Sequence, residues 1–565
     1  MRRLLAMAVI GGVGVCLLGC GTDVKKGAGA KADKSKAAAK MAGSAEMDKE
    51  KSMAKAAAPS ADMARMAAPD MEPADSAAAP PAEEPAERQP EFNTEAYDRI
   101  YENPFLRTSQ NPLSTFSIDV DTASYSNVRR FLEQGSLPPK DAVRIEELVN
   151  YFTYDYAPPD GAVPFAAHVE VAGCPWNQKH RLARIGIKGR QIDPQQREPA
   201  NLVFLLDVSG SMRPANKLPL VKAAMKMLVA NLTDRDRVAI AVYASASGLV
   251  LEPTSCETRE PILEALERLE AGGSTNGGQG IQLAYNVAQQ NFRPGGVNRV
   301  ILCTDGDFNV GITNQGDLIR LIEEKAKGGI FLTVLGFGMG NLKDSTMEKL
   351  ADKGNGSYGY IDNIHEARKI LVEQISGTLV TIAKDVKIQV DFNPAKVAAY
   401  RLIGYENRLL RDEDFLDDTK DAGEIGAGHT VTALYELVPP GAEGDLPAVQ
   451  PSKYQKPAEP DPAAAQSDEL FTLRMRYKLP EEDQSQPLEV PVTDGGKSFN
   501  AATPDFQFAA AVACFGMLLR DSQHQGQSSY DLAIELAQGG QGRDPGAYRA
   551  DFLKLLKTAK ALAGK

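Results

Sequence analysis

Cysteine is scarce in this 565-residue chain, six residues in all, and Cys16 and Cys20 fall within the first twenty positions. Cys174, Cys256, Cys303 and Cys514 are far apart and share no C-x-x-C spacing, which excludes the common zinc frameworks. Cys303 lies in an apolar strand-like run and Cys514 in an apolar helix-like one, so both read as core residues. Histidine is equally sparse. His168, His180, His365, His429 and His524 are scattered, with no G-x-S-x-G motif near them, so a hydrolase triad has no basis. A basic excess is also lacking: 63 Lys and Arg stand against 75 Asp and Glu, a net charge of -12. With no Lys/Arg stripe, nucleic acid is excluded as a partner, because phosphate recognition needs a concentrated basic face.

Other familiar signatures are incomplete. The glycine run Gly272 to Gly280 lacks the G-K-[ST] ending of a phosphate loop, and Gly336-x-Gly338-x-Gly340 misses the dinucleotide fingerprint, so both read as turns. The acidic run 411–424 has Ala422 where an EF-hand loop beginning at Asp417 requires glycine, and reads as a solvated loop.

What is present begins with "MRRLLAMAVIGGVGVCLLGC". Two arginines precede an apolar run too short for a comfortable membrane span, the pattern of an export signal. Its end, Leu17-Leu18-Gly19-Cys20, resembles the lipobox of bacterial lipoproteins. The resemblance implies cleavage before Cys20 and lipidation of that residue, anchoring the chain to a membrane of the cell envelope. Gly21 rather than aspartate follows, which in a Gram-negative cell would favour the outer membrane. Residues 21–91 are rich in Ala, Lys, Met, Pro, Glu and Ser and almost devoid of aromatic and β-branched residues. Such a segment buries too little to offset its ordering entropy, and reads as a disordered tether.

Order is expected from residue 92. In 92–200 a short strand (Thr115 to Val120) feeds a helix ending near Leu132, a second helix follows in "DAVRIEELVNYF", and "FAAHVEVAGCPW" and "HRLARIGIKGRQI" form an antiparallel pair. Residues 201–376 alternate apolar strands with amphipathic helices, the pattern of an α/β domain with a doubly wound, mostly parallel sheet. Residues 377–565 return to period two, with strands in "DVKIQVDFNP", "KVAAYRLIGY", "HTVTALYELVPP", "FTLRMRYKL" and "PLEVPV". Lacking helices to cover them, these strands are expected to form a sandwich, with the Pro/Ala/Asp-rich stretch 442–467 as a loop and three helices closing the chain. Neither flank has strands enough for a good core alone, so one β-sandwich built from both sides of 201–376 is predicted.

Ligands of doubly wound sheets bind beyond the carboxyl ends of the strands. There the chain places "FLLDVSGSM", with Asp207, Ser209 and Ser211 at alternate positions, "GGSTNGGQG" with Thr275, and "CTDGDFNVG" with Asp305. Hydroxyls and carboxylates are hard oxygen donors that suit Mg²⁺, Mn²⁺ or Ca²⁺ rather than zinc. This ordered set resembles the metal-ion-dependent adhesion site (MIDAS) of von Willebrand factor type A (VWA) domains. The resemblance implies that Ser209, Ser211 and Thr275 ligate the ion directly while Asp207 and Asp305 act mostly through water, leaving a position for an acidic residue of a protein partner. "FSIDVDTASYSNVRRFL", "CPWN" and "NLKDSTMEKLADKGNGSYGYIDN" extend the likeness, over roughly residues 92 to 560, to bacterial VWA-domain lipoproteins of the YfbK type. A binding protein without catalysis of its own is expected. Two alternatives stand beside it. Asp119 and Asp121, after an apolar strand, superficially match the DxD nucleophile of haloacid-dehalogenase-type phosphatases, although Thr122 and Ala123 follow instead of Gly-Thr; the plainer reading has Asp121 capping the next helix. The other is a structural scaffold whose metal site is vestigial.

Overall fold

A computed structural model of the chain describes residues 94–274, 277–306, 315–447, 450, 453–454 and 461–564. The export signal with Cys20, the tether 21–91 and Thr275 lie outside the described residues. Among those described, no helix is long and apolar enough to cross a membrane.

The α/β domain is built on six strands: β1 (Ala200–Asp207), β2 (Arg237–Tyr243), β3 (Ser247–Ser255), β4 (Val297–Thr304), β5 (Phe331–Phe337) and β6 (Tyr358–Ile361). Their order across the sheet is β6-β5-β4-β1-β2-β3. All pairings are parallel except the edge pair β2/β3. Side chains of β1 alternate between two separate cores, as the period of a strand requires. Leu202, Phe204 and Leu206 pack with α1 (Leu218–Asn231) and α2 (Glu260–Glu267), whereas Val203 and Leu205 pack with α3 (Gly277–Gln290), α4 (Gln315–Lys327) and α5 (Asp344–Lys353). Burial on both faces explains why β1 reads as an unbroken apolar run. Connections reverse direction between β1 and β4, so the sheet's crevice opens beyond Asp207 and Thr304.

The predicted sandwich is made by both flanks. One sheet runs Leu106–Arg107, Ala399–Ile403, Thr430–Val438, Asn177–Gly189, Phe165–Cys174 in that order. In the other, Thr381–Phe392 pairs with Glu469–Lys478 along one edge and with Leu113–Ser117 and Gly423–Gly426 along the other, and Gln486–Thr493 extends it. Phe116, Ile185 and Ile187 from before the α/β domain share a core with Ile388, Tyr435 and Leu473 from after it. The chain enters and leaves the α/β domain at one place. The Gly189 and Ala427 amides donate to the His429 and Val380 carbonyls, and the Gly428 amide to Arg190.

One expectation is corrected here: the strands after the α/β domain do have helical cover. Leu182, Ile403 and Leu434 point away from the sandwich core into a helical layer made by Ala123–Glu133, Ile145–Asn150, Pro504–Arg520, Tyr530–Gly539 and Tyr548–Leu562. Pro504–Arg520 is buried almost all round, because it is wedged between that sheet and its neighbouring helices. Cys174, Cys256, Cys303 and Cys514 are buried free thiols.

Candidate metal centre

Where β1 ends, the backbone turns back on its own carboxylate. Asp207 Oδ1 accepts the Ser209 amide at 2.9 Å, and the Ser209 and Ser211 hydroxyls lie 2.9 Å apart. Backbone bonds stitch this loop to its neighbours: the Val208 amide donates to Tyr243, Gly210 to Gly273, and Gly272 to Val208. Gly273 has φ +81, and a Cβ there would stand 2.5 Å from Ser245 Oγ, so the loop that leads to Thr275 can approach only as glycine. On the other side Asp305 follows β4. Gly306, at φ +98, lets the chain pass Leu342, whose Cα a Cβ would meet at 2.6 Å.

Asp207 and Asp305 are completely buried and Ser209 nearly so. Burial, with a smaller contribution from the Asp305 charge, pushes the Asp207 carboxyl up to about 6, against the pull of Ser209 and Tyr243. Asp207 Oδ2 is buried without a hydrogen bond of ordinary geometry among the described residues, although the Tyr243 hydroxyl lies near enough to the carboxylate to lower its pKa. A buried carboxylate oxygen left in this state is costly. An all-oxygen donor set around it fits a hard divalent cation. The structure therefore brings together Asp207, Ser209, Ser211 and Asp305 at the switch point, and ends the described part of the third loop one residue short of Thr275.

Sequence reasoning missed Lys217. Its Nζ donates to Asp305 Oδ2 at 2.9 Å, in a pair 8% and 0% exposed. A signal was available: the lysine directly precedes α1, where the helix dipole disfavours a cation.

Several other readings change. Asp121 does not cap the helix after it: Ala123–Glu133 has no side-chain cap, and the Asp121 carboxylate instead accepts the Tyr358 amide at 2.8 Å. Asp119 and Asp121 are each 3% exposed and pair with Arg408 at 3.3 and 3.2 Å. Arg408 also reaches Glu348 and Asp352 of α5, so the two aspartates join the sandwich to the α/β domain and present no accessible nucleophile. The glycine run is only half a turn, since Gly277, Gly278 and Gly280 open α3. At Gly280 a Cβ would strike Tyr243 at 2.7 Å, so glycine allows close packing of helix on sheet. The acidic run is not simply solvated: Asp418 binds Arg476 and Ser485. Asp421 and Glu424 approach Asp385, with carboxylate oxygens within 4.8 Å of one another, but Lys478 and Lys353 already neutralise Asp385 and Asp421 at 2.6 and 3.3 Å.

A doubly wound sheet of order β3-β2-β1-β4-β5-β6 with a D-x-S-x-S turn at its switch point defines a VWA-type domain, a class that mediates protein–protein interaction. Residues 201–376 match the von Willebrand factor type A domain, residues 377–562 the C-terminal region of uncharacterized protein YfbK, and residues 91–184 a further von Willebrand factor model. The chain is 42% identical over 473 residues to uncharacterized protein YfbK of Escherichia coli K12, covering 82% of this chain and 81% of that protein. It belongs to the YfbK family of VWA-domain proteins. Inter-alpha-trypsin inhibitor heavy chain H4 from Homo sapiens is 30% identical over 177 residues, 30% of this chain and 18% of that protein. Among solved structures, a von Willebrand factor type A protein from Catenulispora acidiphila aligns over 72% of this chain and 91% of its own, with 17% identity and a TM-score of 0.39.

Proposed function

We propose that the protein is a lipid-anchored receptor of the cell envelope that binds an acidic residue of a protein partner through a divalent cation, Mg²⁺ or else Mn²⁺ or Ca²⁺, in its VWA domain. The observation that carries the reading is the buried pair Asp207 and Asp305 beside the Ser209 and Ser211 hydroxyls, with Asp207 Oδ2 lacking a hydrogen bond of ordinary geometry. Ser209, Ser211 and Thr275 would be direct ligands, and Asp207 and Asp305 would supply charge. A cation held there offers a coordination position to a partner's carboxylate. The protein's own part is to bury the two carboxylates and to hold the hydroxyls in place with the backbone bonds that tie the loops together. Anchoring would come from Cys20 with its multiple acyl chains, which stable attachment requires, in the outer membrane if the cell is Gram-negative.

Capture of partners from detergent-solubilised envelope tests the reading, performed in Mg²⁺ and again in EDTA, with the parent chain and Thr275→Ala. The expected result is a partner retained in Mg²⁺, released by EDTA and lost in the variant. Equal capture under every condition would favour the scaffold with a vestigial site. The phosphatase alternative receives no support from Asp119 and Asp121, which are buried in ion pairs.

A further inference from the structure

Lys217 is placed as if the site had a cation of its own. Its stem runs along Gly338, at φ +73, where a Cβ would come within 2.5 Å of both Cγ and Cε of the lysine. Any side chain at 338 would block that path. The Gly338 carbonyl is in turn held by the Tyr360 hydroxyl, so the backbone that receives the stem is itself fixed. The ammonium ends on Asp305 at the mouth of β4, despite starting from a helix N-terminus that repels it. Packing and ion pairing thus direct a tethered positive charge onto one of the two carboxylates proposed to hold the metal.

We propose that Lys217 is a built-in competitor and counter-charge of the metal, an inference that rests on the metal-site reading above. Without metal, Asp207, Asp305 and Lys217 sum to one negative charge. With a divalent ion they sum to one positive charge, so Lys217 weakens binding of the ion while leaving the loaded rim electropositive toward an acidic ligand. Metal and partner carboxylate then favour one another, because the second neutralises what the first creates.

Calorimetric titration of Mg²⁺ into the full chain in detergent tests this, using the parent, Lys217→Met, Lys217→Arg and Gly338→Ala. Removing a positive charge a few ångströms from a divalent ion should tighten Mg²⁺ binding about tenfold or more in Lys217→Met, even at solvent-like screening. Lys217→Arg should bind like the parent. Gly338→Ala, whose methyl group crowds the stem off its path, should shift affinity in the same direction as Lys217→Met, and decides the matter if Lys217→Met does not fold. As a second readout, Mg²⁺ should raise the melting temperature of Lys217→Met more than that of the parent. A parent that binds Mg²⁺ alongside folded variants that bind it no more tightly would overturn the role of Lys217 alone. Absence of Mg²⁺ binding in the parent and in both charge-displacing variants would overturn the metal site itself.

Discussion

Replacing Arg408 with methionine should break the junction between the VWA domain and the sandwich. The side chain is 11% exposed, and its guanidinium meets Asp119, Asp121, Glu348 and Asp352 at 3.3, 3.2, 3.3 and 2.7 Å. The first two belong to the segment before the VWA domain, and the others to α5 within it. Arg144 binds Glu348 and Asp344 but has no contact with Asp119 or Asp121 that would replace the lost charge. Methionine preserves much of the stem's volume, so the loss is electrostatic. Removing one partner of a buried ion pair typically costs about 3–5 kcal/mol because the remaining charge stays desolvated. The sign of the pH effect follows from the carboxylates. Burial already raises Asp121 well above its usual value and Asp352 to about 6, and loss of the arginine raises both further. A carboxyl with a raised folded pKa opposes folding in full above that pKa, and the opposition shrinks as pH falls from there toward its ordinary value. The deficit of the variant relative to the parent should therefore be largest near pH 8 and shrink toward pH 5. Urea denaturation of both proteins across this range, followed by circular dichroism, gives the comparison. A deficit below about 1 kcal/mol, or one independent of pH, would refute the claim that this cluster joins the two parts.

Other outcomes follow from single sites. Gly306→Val should disturb Asp305 by forcing a side chain into the Leu342 and Asn341 backbone, abolishing Mg²⁺-dependent partner capture; unchanged capture by a folded variant would contradict it. Burial holds His429 neutral, with its pKa lowered to about 4, so the unfolded chain takes up its proton first as pH falls from about 6.5. Stability should therefore decline between pH 6.5 and 4, by about 3 kcal/mol from this group, and His429→Gln should flatten that decline in urea melts; a parallel decline would count against it. Cys20→Ser should release the protein from membranes or leave its signal uncleaved, as membrane fractionation and the mass of the mature chain would show. Normal processing with full membrane retention would remove the lipid anchor from the account.

The parts of the fold that were legible in the sequence are those in which each strand or helix carries its own periodicity. The continuous apolar run of β1 implied burial on both faces, and the period-two strands on either side implied a shared sandwich, because neither set sufficed alone. Helical cover of the sandwich was not legible, since Pro504–Arg520 is apolar all round and its pattern does not say which surface it meets. The side chains proposed as metal donors could be singled out because they fall at strand ends in a fixed order. Lys217 stands at a helix start and not at a strand end, and its proposed role depends on a path over Gly338, more than a hundred positions along the chain, that exists only after β5 is in place. Asp121 was misread for a related reason, as the partners of its carboxylate, the Tyr358 amide and Arg408, are distant in sequence.

The side chains beyond β1 and β4 are proposed to hold a divalent cation for a partner's carboxylate. Mn²⁺ soaked into crystals of the protein, with data collected at the manganese absorption edge, tests this most directly. An anomalous peak is expected within bonding distance of the Ser209, Ser211 and Thr275 hydroxyls, with Asp207 and Asp305 around it, and it should disappear in Asp207→Ala crystals. No peak at that position, or a peak only among Asp385, Asp421 and Glu424, would contradict it.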